Sequence, residues 1–244
     1  MAKFKYRASL VMCSLLFTSA CATVLTTGQF PVNFKFGVST SAFATEGAWN
    51  DNGKGPSIWD DFMFDTRAAI TSEFDGRVAS SSYYHGDEDI KNMKDMGIKT
   101  FKMSISWPRL MPDGQKSSAN QDGVNFYNSL IDKLLANGIT PFVSLYHWDL
   151  PLALEKNMNG WLNKDIVNKF ADYSDFCFKT FGDRVKNWVT IDDPFSIAYK
   201  GYETGEHAPG KKDARSTYEV AHNVLLAHAE AVSIYRYDTS LYFR

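Results

Sequence analysis

The chain has 244 residues, of which 44% are hydrophobic and 15% aromatic, and a formal charge of −2 at pH 7. That suits one ordinary domain or a small barrel with a sizeable apolar core, and it argues against a disordered chain. There is no basic excess of the kind nucleic-acid binding requires, so no nucleic-acid partner is expected.

Residues 1–22 read as a secretory signal peptide. Lys3, Lys5 and Arg7 precede an apolar run from Ala8 to Phe17, and Ala20-Cys21-Ala22 forms a small-residue cleavage site. The run is too short to span a bilayer, and no second apolar stretch is long enough to anchor the chain. The mature chain, 23–244, is therefore expected to be secreted and free of the membrane. Cleavage would remove three basic and no acidic residues, taking the charge from −2 to −5. Cys177 would be the remaining cysteine, which excludes an intramolecular disulfide. It sits in an apolar helical stripe and reads as a core residue.

Beyond the leader, strand-like and helix-like stretches alternate. Strands are predicted over Phe34 to Thr40, Lys99 to Trp107, Ile139 to Tyr146 and Val185 to Ile191. A short helix is predicted from Asp87 to Met96, stopped by Gly97. Tyr127, Leu130, Ile131, Leu134 and Leu135 fall at helical spacing before Asn137-Gly138, which tolerates the positive φ of a helix end. Ile166 to Phe181 and Val220 to Val232 form two further amphipathic helices. Strand, helix and strand at roughly 40-residue intervals is the pattern of right-handed βαβ units in a parallel sheet. Four such units are present.

Ligands of such sheets bind at the carboxyl ends of the strands. Here those ends carry Ser39 to Phe43 with Glu46 beyond, Ser106-Trp107-Pro108-Arg109, Tyr146-His147-Trp148-Asp149 and Asp192-Asp193-Pro194. Indoles, an imidazole and carboxylates together suit a sugar, whose C–H faces stack on rings while its hydroxyls take polar groups. Asp87, Glu88 and Asp89 suit a helix N-terminus better than a metal, because no second ligand cluster accompanies them.

Five long motifs then carry a resemblance: FPVNFKFGVSTSAFATEGAWNDNGKGPSIWDDF from Phe30, SISWPRLMPDG from Ser104, SLYHWDLP from Ser144, NGWLN from Asn159 and NWVTIDDPF from Asn187. GYETGEHAPG from Gly201 and AHNVLLAHAEAV from Ala221 continue it. In this order they resemble glycoside hydrolase family 1, the β-glucosidase, lactase and myrosinase group. The resemblance implies an α/β fold of the (β/α)8 barrel type, truncated here to about the first four βα units. It implies no cofactor, a β-glycoside as partner, and retaining hydrolysis by two carboxylates.

It also assigns site positions. His147 and Trp148 fall in an intact H-W-D-x-P motif, where the family histidine contacts a sugar hydroxyl. Asp193 occupies the place of the acid/base Glu, and Asp192 that of the Asn that holds the sugar 2-hydroxyl. Ala44 stands where the family has a sugar-gripping Gln, and Lys102 where it has the Arg that pairs with the nucleophile. The nucleophile motif, (I/V)-T-E-N-G, is absent from the 244 residues. Trp107, Trp161 and Glu46 read as structural. Adjacent like charges are expected to raise the pKa of Asp192 or Asp193. The expected outcomes are an impaired β-glycosidase, a secreted pseudoenzyme that binds sugar or a protein, or a piece of a longer active enzyme. Unpaired sheet edges would favour self-association.

Overall fold

The computed structural model describes residues 30–31, 34–64 and 78–237. The signal-peptide reading of 1–22 lies outside them. The chain divides between Lys35 and Phe36 into two units. In the first, the Phe30 and Phe34 rings lie 4.6 Å apart. All that follows concerns the second.

Its sheet has four parallel strands in the order β1-β2-β3-β4: β1 (Gly37–Ser39), β2 (Thr100–Ser104), β3 (Thr140–Tyr146) and β4 (Asn187–Ile191). Around it run α1 (Ala42–Thr45), α2 (Ile58–Phe64), α3 (Ser82–Asp95), α4 (Trp107–Leu110), α5 (Gln121–Ala136), α6 (Leu152–Met158), α7 (Ile166–Phe181), α8 (Pro194–Ser196) and α9 (Ser216–Tyr237). The long predicted helices are present, α7 with the predicted bounds and α5 and α9 extended by a few residues. The predicted strands are shorter at their ends, where hydrogen bonding to a neighbour stops.

Register and side-chain alternation fix two faces. Ser39, Lys102, Phe142 and Asn187 are in register across the four strands and share the face away from the helices. Met103, Val143 and Leu145 point the other way and are buried under the helices. Trp188 meets Phe178 of α7 edge-on at 5.0 Å. α9 lays Val220, Val224, Ala227 and Ala231 into the core, with Tyr235 5.1 Å from Phe178. α5 begins where the Asn120 side chain accepts the Asp122 amide at 3.2 Å, and the chain leaves it through Gly138 at φ +70°.

Trp107, Trp161, Tyr127, Tyr173 and Cys177 are completely buried, in line with their core reading. Burial also pushes the Cys177 thiol well above its usual pKa. α3 corrects one expectation. It starts at Ser82, five residues before Asp87, so Asp87, Glu88 and Asp89 lie in its second turn and not at its N-terminus. Packing overrides the weak helix propensity of this stretch. The Tyr83 ring stacks on Phe126 of α5 at 4.4 Å and lies 4.4 Å beneath the Arg109 guanidinium. Asp87 instead pairs with Lys133 at 2.5 Å. Among the described residues, no helix is long and apolar enough to cross a membrane, and no group of three or more His, Cys, Asp or Glu could hold a metal ion.

Candidate functional site

The carboxyl ends of β2, β3 and β4 bring four of the expected residues together. Lys102 Nζ pairs with Asp192 Oδ1, and His147 Nδ1 approaches Asp192 Oδ2 at 3.3 Å. The Trp148 indole donates to the Asp192 carbonyl at 3.3 Å. Asp192 is thus contacted by Lys102 from within β2 and by two residues that follow β3. Burial by itself would raise its pKa. The contacts from His147, Lys102 and Ser144 outweigh burial and hold the carboxyl well below the usual carboxylate range.

Two backbone turns set this geometry. Trp148 (φ +77°) and Asp193 (φ +43°) both occupy left-handed conformations that cost a non-glycine residue energy. The turn at Asp193 directs its side chain away from Asp192. Its Oδ1 accepts the Ser196 amide at 3.1 Å and caps α8. The Ser196 side chain first, and then its amide, outweigh burial and hold the exposed Asp193 carboxyl below its ordinary pKa. The expectation that one member of the pair would be raised is therefore wrong. The two adjacent carboxylates diverge, and each finds its own donors.

Ala44 is exposed on α1 and has no polar side-chain atom to offer. Glu46, read as structural, is so: it accepts from Tyr127 Oη at 2.6 Å and Arg109 Nε at 2.8 Å, with both partners buried. Trp161 donates to Tyr146 Oη at 3.1 Å inside the core.

Two neighbours of the site escaped the sequence reading. Trp59 lies nearly parallel to Trp148, with centroids 6.3 Å apart, and His207 sits 4.8 Å from Trp148 and 5.3 Å from Trp59. Phe43 is 5.4 Å from Trp59 and continues this wall. Burial, with Lys200 nearby, lowers the pKa of His207. Both residues lie in quoted motifs, PSIWDDF and GEHAPG, but far from any strand end, so no local pattern marked them. The resulting site is an aromatic wall beside one cation and two carboxylates on an open sheet face. Such an arrangement can stack on a sugar ring and exchange hydrogen bonds with its hydroxyls.

The profile of Glycosyl hydrolase family 1 matches residues 26–240. The chain belongs to glycosyl hydrolase family 1. It is 47% identical over 224 residues to furostanol glycoside 26-O-beta-glucosidase of Hellenia speciosa, covering 87% of this chain and 40% of that protein. It is also 47% identical to the human lactase-like protein, covering 84% of this chain and 36% of the relative. A rice β-glucosidase crystal structure superposes with a TM-score of 0.84 at 44% identity, covering 88% of this chain and 48% of that one. The family 1 β-glucosidase of Thermotoga maritima gives 0.82 at 44% identity, covering 85% and 46%. The chain thus spans under half the length of the relatives it matches, and its four parallel strands are a portion of the family's (β/α)8 barrel.

In this family-1 chain the Lys102–Asp192 pair has a consequence for acid stability. The folded pKa of Asp192 lies below its unfolded value, so the pair's contribution is complete above about pH 4 and is lost as pH falls further. Asp192→Asn should flatten the fall in thermal midpoint between pH 6 and pH 3. Parallel curves for the two proteins would show that the pair contributes nothing.

Proposed function

We propose that this is a secreted β-glycosidase-like protein whose strand ends present a β-glycoside site with impaired hydrolysis. The observation that carries this reading is the commitment of Asp193. A general acid must hold a proton near its working pH and reach the leaving oxygen. Asp193 is held low, and its carboxylate caps Ser196. Relative to a Glu it is also shorter by one C–C bond, about 1.5 Å, and a displacement of about 1 Å can cost roughly 100-fold in rate. Asp192, the neighbouring carboxylate, is engaged by Lys102 and so does not replace it.

Purified chain mixed with a nitrophenyl β-glucoside should release no chromophore above the buffer control, and steady turnover would refute the impairment. Calorimetric titration with glucose or cellobiose addresses the binding half of the proposal. Heat and a thermal shift support a sugar-binding pseudoenzyme, and their absence removes it. Recovery of a secreted product beginning at Thr23 would support cleavage after residue 22.

The second reading is a piece of a longer active β-glucosidase. Coverage of only 36–48% of the relatives favours it. A transcript whose frame continues past Arg244 into a T-E-N-G stretch would establish it. Self-association through the unpaired edges of β1 and β4 rests on the sheet order alone; a stable monomer in size-exclusion chromatography would end it.

A further inference from the structure

Asp149 is the last residue of the His147-Trp148-Asp149 strap that follows β3. Its residue exposure is 2%, and neither carboxyl oxygen has a hydrogen-bond partner. It lines a cavity of about 10 Å³, room for roughly one water, together with Glu46, Lys54, Ser57, Asp60 and Ser106.

Most donors around Asp149 are already committed, and the two that are not, the Ser106 hydroxyl and Arg109 Nη1, make no hydrogen bond to its carboxyl oxygens. Lys54 Nζ spends its three N–H groups on the Trp49 carbonyl at 3.0 Å, the Gly55 carbonyl at 3.1 Å and Asp60 Oδ2 at 3.2 Å. The Ser57 hydroxyl also donates to Asp60, at 2.8 Å. Arg109 Nε and the Tyr127 hydroxyl are taken by Glu46. The charges do not balance either. Three buried carboxylates, Glu46, Asp60 and Asp149, face two buried cations, Lys54 and Arg109. A neutral Asp149 would balance them. A protonated carboxyl is also a donor, and the Ser106 hydroxyl beside it is buried without a partner. The Ser106 hydroxyl can pair with either form of Asp149, so the excess charge is what the proton removes.

We propose that Asp149 is carried protonated in the folded chain as a neutral positioning residue, and that its ionisation loosens the strap that holds His147 and Trp148 against Asp192. The inference stands on the cavity and its hydrogen bonds, and it is independent of whether the site turns over. Burial pushes the Asp149 carboxyl up to about 8, with Ser106 and Lys54 opposing and Glu46 adding to the rise. Two other titratable groups face it, Tyr146 at the end of β3 and Tyr173 on α7. Burial raises both phenols far above their usual range, so they stay neutral throughout.

The folded chain holds this proton more tightly than the unfolded chain does. Stability therefore falls as pH rises from about 4 to about 8 and levels off above that, by up to about tenfold in the folding constant per pH unit. His207, whose pKa burial lowers, acts in the opposite sense below about pH 6.5, its ordinary value, and is silent above it. The interval from pH 7 to 8 therefore isolates Asp149 from it.

The direct test is carbon-13 NMR of aspartate-labelled wild-type chain. One aspartate carboxyl should titrate near pH 8, with the Trp148 indole resonance moving over the same interval. Asp149→Asn should remove that titration and the pH 7–8 slope of the thermal midpoint while leaving the spectrum folded. If no aspartate carboxyl titrates above pH 6, the proposal falls, and this reading needs no variant to fold. An Asp149→Asn chain that keeps the wild-type slope overturns it as well. So does a midpoint that rises with sodium chloride but not with choline chloride at equal ionic strength, because the cavity would then hold a cation in place of the proton.

Discussion

Glu46→Ala should destabilise the chain by about 3–5 kcal/mol, the usual cost of leaving a buried charge without its partner. Arg109 is 1% exposed, and its Nε–Glu46 contact at 2.8 Å is its only carboxylate contact among the described residues. The same substitution also takes the acceptor from the Tyr127 hydroxyl, which in turn accepts the Ser106 amide at 2.7 Å. The loss is large beside the roughly 5–15 kcal/mol that holds a typical domain together. The urea midpoint of Glu46→Ala measures it. Replacing Glu46 and Arg109 together by Met should cost less than Glu46→Ala alone, because the orphaned charge goes too. A Glu46→Ala loss under about 1 kcal/mol would mean that the guanidinium is not truly sealed from water.

Trp107→Ala should cost a similar amount, about 3–5 kcal/mol, by a different route. Its indole is completely buried, stacks on Tyr173 with centroids 4.7 Å apart and meets Phe170 at 5.7 Å. Deletion opens a void between β2 and α7 that surrounding rings cannot collapse to fill. Trp107→Phe is the informative companion. It loses volume, but it also removes a buried indole N–H that has no acceptor, so its cost should be much the smaller of the two. Equal losses for the two variants, read from chemical unfolding, would contradict the packing account.

These two substitutions test residues that the sequence already marked as structural. Trp107 and Glu46 stand in long motifs, and their burial followed once strand ends and helix stripes were placed. The βα alternation was legible because hydrophobic period changes sharply between Lys99–Trp107 and Tyr127–Leu135. The start of α3 was not legible. Ser82 to Gly86 has little intrinsic helical preference, and tertiary contacts such as those of Tyr83 with Phe126 and Arg109 hold it helical. The site shows the same divide. His147, Trp148 and Asp192 meet because they follow the adjacent strands β3 and β4, which pattern alone reveals, whereas Lys102, inside β2, was marked by the resemblance. The divergence of Asp192 and Asp193 depends on one left-handed residue, and nothing in a D-D dipeptide announces φ +43°. Trp59 and His207 reach the site from long connections, whose course is set by tertiary packing.

The lowered pKa values of Asp192 and Asp193 and the raised value of Asp149 arise from one principle. Burial raises all three, and contacts with neighbouring donors outweigh it at Asp192 and Asp193 but not at Asp149. Asp192 has Lys102 and His147, Asp193 has the Ser196 amide, and Asp149 has no committed donor. The proposed impairment of hydrolysis rests on carboxylates bound up in this way being poorly placed to attack an anomeric carbon or to protonate a leaving oxygen.

Intact-mass measurement after incubation with an activated 2-fluoro-β-glucoside tests that claim most directly, because a retaining glycosidase forms a covalent sugar ester on its nucleophile. The mass of the chain should remain unchanged. A stoichiometric glycosyl adduct mapped to one of its carboxylates would contradict the account.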